Sequence, residues 1–280
     1  MILNPKDINF LKYKRVFVFG CSFTSYIWPT WADILKTQMP NAEYYNTGQS
    51  GAGNLYIAVQ YSTYDKKYKF NDTDLILIMW STFFREDKYI NNQWVTPGNI
   101  FTQDIYPEEY IKKYADIRGY LIRDLSIIDI TTGSLKNSAA DSIQFMAIPA
   151  VHEFNEHRHR WWANTIDLVD VVDLFSNIKL PTLIETLEGN CFGTGYEYYN
   201  PHYDTSPNKK KIEDNPKYNF TDYHPNILNY LNFLKDVGFE LDNSADVFAT
   251  ENHKKYKNYS HVESFFINHP FRNYVTGAVL

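Results

Sequence analysis

Residues 74–80 read DLILIMW, an almost unbroken apolar run with a polar stretch before it and Ser81-Thr82 after it. The run is too short for an ordinary helix and lacks the alternation of a strand with one wet face. It predicts a central strand covered on both sides. Such strands belong to mostly parallel sheets, because their neighbours are reached through crossover helices. Two more segments fit that sheet: residues 15–20 (RVFVFG), which end in glycine, and residues 142–149 (SIQFMAIP). A short strand is expected at 43–46 (EYYN). Helical spacing appears at 31–39, from the glycine turn 49–54 (QSGAGN) through Tyr64, at 108–124, at 165–175, and at 225–238, where Gly238 is the stop signal. Strands alternating with helices predict an α/β fold with a mostly parallel central sheet, whose ligands sit at the carboxyl ends of the strands.

Composition narrows the partners. The chain of 280 residues carries 27 Lys plus Arg against 33 Asp plus Glu, a net charge of -6, so it has no general basic footprint for nucleic acid. Asn, Ile, Lys and Tyr are abundant and Ala is scarce, a bias expected of an AT-rich bacterial or viral genome. Aromatic residues reach 17%, which also suits carbohydrate-facing surfaces and large interfaces. Two cysteines, Cys21 and Cys191, do not make a secreted disulfide framework. The first residues have no basic region followed by an apolar core, and no apolar run is long enough to span a bilayer. The expected location is therefore cytoplasmic, or a virion if the chain is phage-encoded, with no membrane partner. One α/β domain is expected over 1–240, with a surface excursion at about 188–221 that is rich in Gly, Asn, Pro, Tyr and Lys. Residues 241–280 read as a C-terminal extension, a docking or interaction segment without an assigned structure.

Three strand ends carry chemistry: Gly20-Cys21-Ser22, Trp80-Ser81-Thr82 and Pro149-Ala150-Val151-His152. Ser22 follows a buried strand on a tight turn, which exposes its hydroxyl near backbone N–H groups and suits a nucleophile. The same position is also a common helix N-cap. Asn46-Thr47-Gly48-Gln49-Ser50-Gly51 follows the second strand, and Gly51 lets the backbone approach a ligand closely; a plain turn has the same sequence. Asp222-Tyr223-His224-Pro225 places a histidine just before a helix with an acid two residues earlier, the pattern of an oriented general base.

Taken in order, these blocks resemble the SGNH/GDSL hydrolases over roughly residues 15–238. The resemblance implies a flavodoxin-like three-layer α/β/α sandwich and a metal-free, cofactor-free serine esterase. It assigns Ser22 as nucleophile, His224 as base and Asp222 as the acid. Ser22 and Gly51 would donate backbone N–H groups to the oxyanion. The sequence departs from the family in three places. Cys21 replaces the aspartate of the first block. Asp222 stands one residue closer to the histidine than usual, with Thr221 in the usual place. The central strand runs into Trp80-Ser81-Thr82-Phe83 without the family's asparagine, so Ser81 or Thr82 would have to supply the third oxyanion donor through a hydroxyl. Arg85 and His152 are candidate substrate contacts at the cleft rim, and Arg85-Glu86-Asp87 reads equally well as a solvated charge cluster.

The expected reaction is hydrolysis of an ester, such as an O-acetyl group on a carbohydrate, through an acyl-serine. The alternative is a catalytically degenerate binding or structural subunit of the same fold, for example a virion or tail component, making contacts with itself or with other virion proteins. A metal reading rests on His152, His157 and His159, whose separations of five and two do not suit a zinc helix. Lys209-Lys210-Lys211 reads as a solvated loop, and Trp161-Trp162 as a buried pair or a sugar-stacking platform.

Overall fold

The computed structural model describes residues 1–101, 106–148, 168–183, 197–199, 219–221 and 224–257. The expectations placed on Asp222, on His152 through His159, on Trp161-Trp162, on Cys191 and on Lys209-Lys210-Lys211 lie outside the described residues, as do 184–196, 200–218 and 258–280.

Four strands form one wholly parallel sheet: β1 (Arg15–Phe19), β2 (Glu43–Asn46), β3 (Asp74–Trp80) and β6 (Asp141–Met146), in the order β2-β1-β3-β6. All seven residues of β3 are buried, as its composition demands. The chain lays β2 on one side of β1 and then β3 on the other. The order of strands therefore reverses beside β1, and ligands of such sheets bind at that switch point, outside the carboxyl ends of the strands.

Register decides which side chains share a face. Phe17 pairs with Ile76 and Ile76 with Ser142; Phe19 pairs with Ile78 and Ile78 with Gln144. These residues face one layer, formed by α2 (Asn54–Tyr68) and α4 (Ile117–Lys136). Phe17 packs on Tyr64 and Tyr68, Phe19 packs on Tyr61 and Tyr64, and the Thr132 hydroxyl donates to the Gln144 side chain. Phe145 has the opposite parity and meets Trp31 of α1 (Trp31–Thr37) and Phe233 of α6 (Ile227–Asp236). The sheet thus has helices on both faces, an α/β/α arrangement. Beyond β6 the open edge is covered by backbone bonds from Leu3 to Ser142 and from Met146 to Pro181.

Several elements differ from the sequence reading. The single helix expected over 108–124 is two helices, α3 (Glu108–Tyr114) and α4. Ala115 and Asp116 are extended between them, and the Asp116 carboxylate accepts the Gly119 N–H at 2.6 Å as the cap of α4. Within 165–175 the described helix is α5 (Val169–Leu174). Arg85-Glu86-Asp87 opens strand β4 (Arg85–Ile90), which pairs antiparallel with β5 (Gln93–Asn99). The turn between them, Asn91-Asn92, has φ of 51° and 63° at its two residues, as a tight two-residue hairpin turn requires. The extension begins with α7 (Asn243–Lys257), which buries Ala245 and Ala249 and packs on α1 and α6. A two-stranded ribbon, β7 (Glu197–Tyr199) with β8 (Asn219–Thr221), completes the described elements. Among the described residues no helix is long and apolar enough to cross a membrane.

Candidate active site

The end of β1 turns sharply at Gly20. A Cβ there would lie 2.0 Å from the Thr24 hydroxyl oxygen, so the turn closes only with glycine. The Thr24 and Ser25 N–H groups both donate to the Cys21 carbonyl, which coils residues 21–25, and Ser22 just past the end of β1 is buried rather than exposed as expected. Cys21 itself is a buried free thiol.

His224 stands just ahead of α6. Asn226 caps that helix by accepting the Leu228 and Asn229 N–H groups at 3.0 and 3.2 Å. The buried Pro225 presents its carbonyl to the Trp28 indole N–H at 3.0 Å. The imidazole lies flat on the Tyr26 ring, with centroids 3.8 Å apart and planes 20° apart, and Phe23 packs at 5.0 Å. Its Nε2 is 2.8 Å from Ser22 Oγ, across 202 residues of chain. Residues 22–28 therefore carry the serine and grip the histidine that faces it. Sequence reasoning passed over Phe23, Tyr26 and Trp28, because nothing local in the sequence shows that their partner arrives from near residue 224.

Gly51 lies in the turn after β2. That turn is tied to the end of β1 by bonds from Thr47 N to Val18 O and from Gln49 N to Gly20 O. Its φ is +72°, and a Cβ would stand 2.1 Å from the Thr96 carbonyl oxygen, so both conformation and space require glycine. Among the described residues no acceptor is found for the N–H of Ser22 or of Gly51.

The end of β3 is wholly enclosed. Ser81 is fully buried; its N–H donates to Asn54 Oδ1 at 2.8 Å, while its hydroxyl and the Asn54 amide nitrogen have no partner among the described residues. The Thr82 hydroxyl accepts from Arg85 Nε at 2.6 Å, and Phe83 is fully buried. Arg85 also donates to the Ala52 carbonyl at 3.0 Å, so two of its N–H groups already serve the protein. Asp87 is not a solvated surface charge. It is buried, and it accepts the Gly53 and Tyr56 N–H groups at 2.8 Å each.

A second buried acid lies behind it. Burial pushes the Asp124 carboxyl up to about 7; the neighbouring Arg123, which donates to it at 2.8 Å, offsets part of that rise, and Asp87 adds to it. A carboxyl held above its unfolded value of about 4 stabilises the fold while protonated, and that contribution is lost as pH climbs through about 7. Asp124→Asn should therefore gain on the wild type as pH rises. Thermal melts at pH 5 and pH 8 check this: the difference in Tm between variant and wild type should move in favour of the variant at pH 8, and a pH-independent difference would contradict it.

Among the described residues no cluster of three or more His, Cys, Asp or Glu side chains could hold a metal ion. No protein-family model matches the chain. No curated protein matches it either. Among solved structures, a protein from Bacteroides fragilis assigned as an acylhydrolase is 15% identical, with 87% of this chain and 88% of that one covered at a TM-score of 0.34. A GDSL-like lipase from Bacteroides thetaiotaomicron is 16% identical, with 86% and 89% covered at a TM-score of 0.35. Superpositions this loose leave the site to stand on its own residues.

Proposed function

We propose that the chain is a serine esterase of the SGNH/GDSL type. The observation that carries this reading is the 2.8 Å contact between Ser22 Oγ and His224 Nε2 at the carboxyl edge of a parallel sheet, beside its switch point. A serine hydroxyl is a weak nucleophile until a base takes its proton, and that distance is within direct proton-transfer reach. His224 accepts the proton as Ser22 Oγ attacks the ester carbonyl. The tetrahedral oxyanion is held by the N–H groups of Ser22 and Gly51. Collapse expels the alcohol, which takes its proton from His224 and leaves an acyl-serine. Water, deprotonated by the same imidazole, then releases the acid. Asp222 orients the imidazole in this scheme. The face of His224 rests on Tyr26, which holds the plane of the imidazole in place.

The third oxyanion donor is assigned to Ser81, whose buried hydroxyl has no partner among the described residues. The substrate class is an O-acetyl ester on a carbohydrate, and the exposed Tyr89 and half-buried Trp94 of the hairpin offer rings for a sugar to stack on. Arg85 and His152 remain the assigned substrate contacts. A second reading, a binding subunit that no longer catalyses, draws on one observation: buried Phe83 stands near the place of the family's asparagine.

Hydrolysis of p-nitrophenyl acetate separates the two. Nitrophenolate release well above the buffer rate supports the esterase; a folded sample with no release above buffer overturns it.

A further inference from the structure

Besides offering Arg85 and its rings to a substrate, the hairpin β4–β5 makes side-chain bonds to the turn that carries Gly51. The Thr96 hydroxyl, on β5, donates to the Ser50 carbonyl at 2.7 Å and accepts from the Gln49 side-chain amide at 2.9 Å. The Ser50 carbonyl and the Gly51 N–H belong to one planar trans peptide unit and point in opposite directions. Fixing the carbonyl from the hairpin side therefore aims the N–H away from the hairpin. The next-but-one peptide unit is held at both poles. Arg85 donates to the Ala52 carbonyl at 3.0 Å, and Asp87 accepts the Gly53 N–H at 2.8 Å. Thr96 and Asp87 are 3% and 7% exposed, so these bonds form out of water, where they hold orientation most firmly.

We propose that the hairpin is the positioning device of the oxyanion site, with Thr96 as the residue that sets the direction of the Gly51 N–H and the Arg85–Asp87 pair as the clamp behind it. The proposal rests on the esterase reading and adds residues that touch no reacting atom. Its physical basis is that an oxyanion donor contributes fully only when it is already aimed before charge develops. Displacing such a donor by about 1 Å costs on the order of 100-fold in rate. A surface hairpin that clamps the turn would thus control turnover and leave substrate binding almost unchanged.

The test is steady-state hydrolysis of p-nitrophenyl acetate by wild type, Thr96→Val and Thr96→Ser, with thermal melts of each. Valine keeps the shape of threonine and removes the hydroxyl; serine restores it. Thr96→Val should lower kcat by roughly 10–100-fold with KM within about twofold of wild type, and Thr96→Ser should recover most of the loss. A folded Thr96→Val variant with wild-type kcat overturns the proposal. So does a Thr96→Ser variant as slow as Thr96→Val. Should valine prevent folding, Asp87→Asn serves instead. It keeps one acceptor for Gly53 and loses the acceptor for the Tyr56 N–H, so kcat should fall in the same direction by a smaller factor, and an unchanged kcat overturns the proposal equally. Inactive wild type would instead strike the esterase reading itself, which keeps the two failures apart.

Discussion

Ser22→Ala should abolish hydrolysis of p-nitrophenyl acetate, lowering turnover by roughly a thousandfold or more, because no other group in the scheme can form the acyl bond. The expected change in folding stability is small. Ser22 contributes one side-chain hydrogen bond, worth about 1 kcal/mol, and the His224 imidazole keeps its stack on Tyr26 and its contact with Phe23 when the hydroxyl is gone. The informative result is therefore a variant with nearly the wild-type Tm and essentially no turnover. A variant that retains a tenth of wild-type activity would mean that the ester is being cleaved elsewhere on the protein.

The second large effect is on stability. Phe145 is fully buried at the centre of the layer formed by α1 and α6, with ring centroids 5.5 Å from Trp31, 5.4 Å from Phe233 and 6.0 Å from Phe239. Three rings converge on it, one from α1 and two from α6 and the turn that ends it, so the cavity left by Phe145→Ala cannot close by the shift of one side chain. Truncations of this kind cost about 3–5 kcal/mol. Against the usual total of roughly 5–15 kcal/mol, that is a large share of the stability of the fold, and it should lower Tm by on the order of 10 °C. The cost reaches the site as well. Phe233 belongs to α6, and α6 directly follows the His224-Pro225 step that faces Ser22. Turnover should therefore fall before global unfolding as temperature rises, and parallel thermal melts and rate measurements would record it. A variant with unchanged Tm would show that this layer is held together elsewhere.

The sheet was readable because its signal is local. A seven-residue apolar run such as 74–80 has few ways to satisfy its backbone other than as a central strand, and residues 15–20 announce both a strand and its turn through Gly20. Near the candidate site, Gly51 could be read as a turn glycine, which its positive φ and the approach of Thr96 require, and His224 could be placed just ahead of a helix by the proline that follows it. The hairpin was not readable in the same way. Arg85, Glu86 and Asp87 look like surface charge, and only the contacts of Asp87 with Gly53 and Tyr56, more than thirty residues earlier, explain why that acid is buried. The Asn91-Asn92 turn was the available clue, flanked by Tyr89-Ile90 and Trp94-Val95. The helix over Asn243–Lys257 escaped for a related reason. Its buried face is only Ala245 and Ala249, too small to register as an apolar stripe, and its place is set by partners on α1 and α6. The break at Ala115-Asp116 turned on a single capping carboxylate inside an otherwise helical stretch.

The most direct test of an activated serine is chemical. Exposure of the protein to a fluorophosphonate, followed by peptide mass spectrometry, should yield one adduct, on the peptide containing Ser22, and none in Ser22→Ala. A folded wild-type sample that forms no adduct, or that forms it on another residue, would contradict the account.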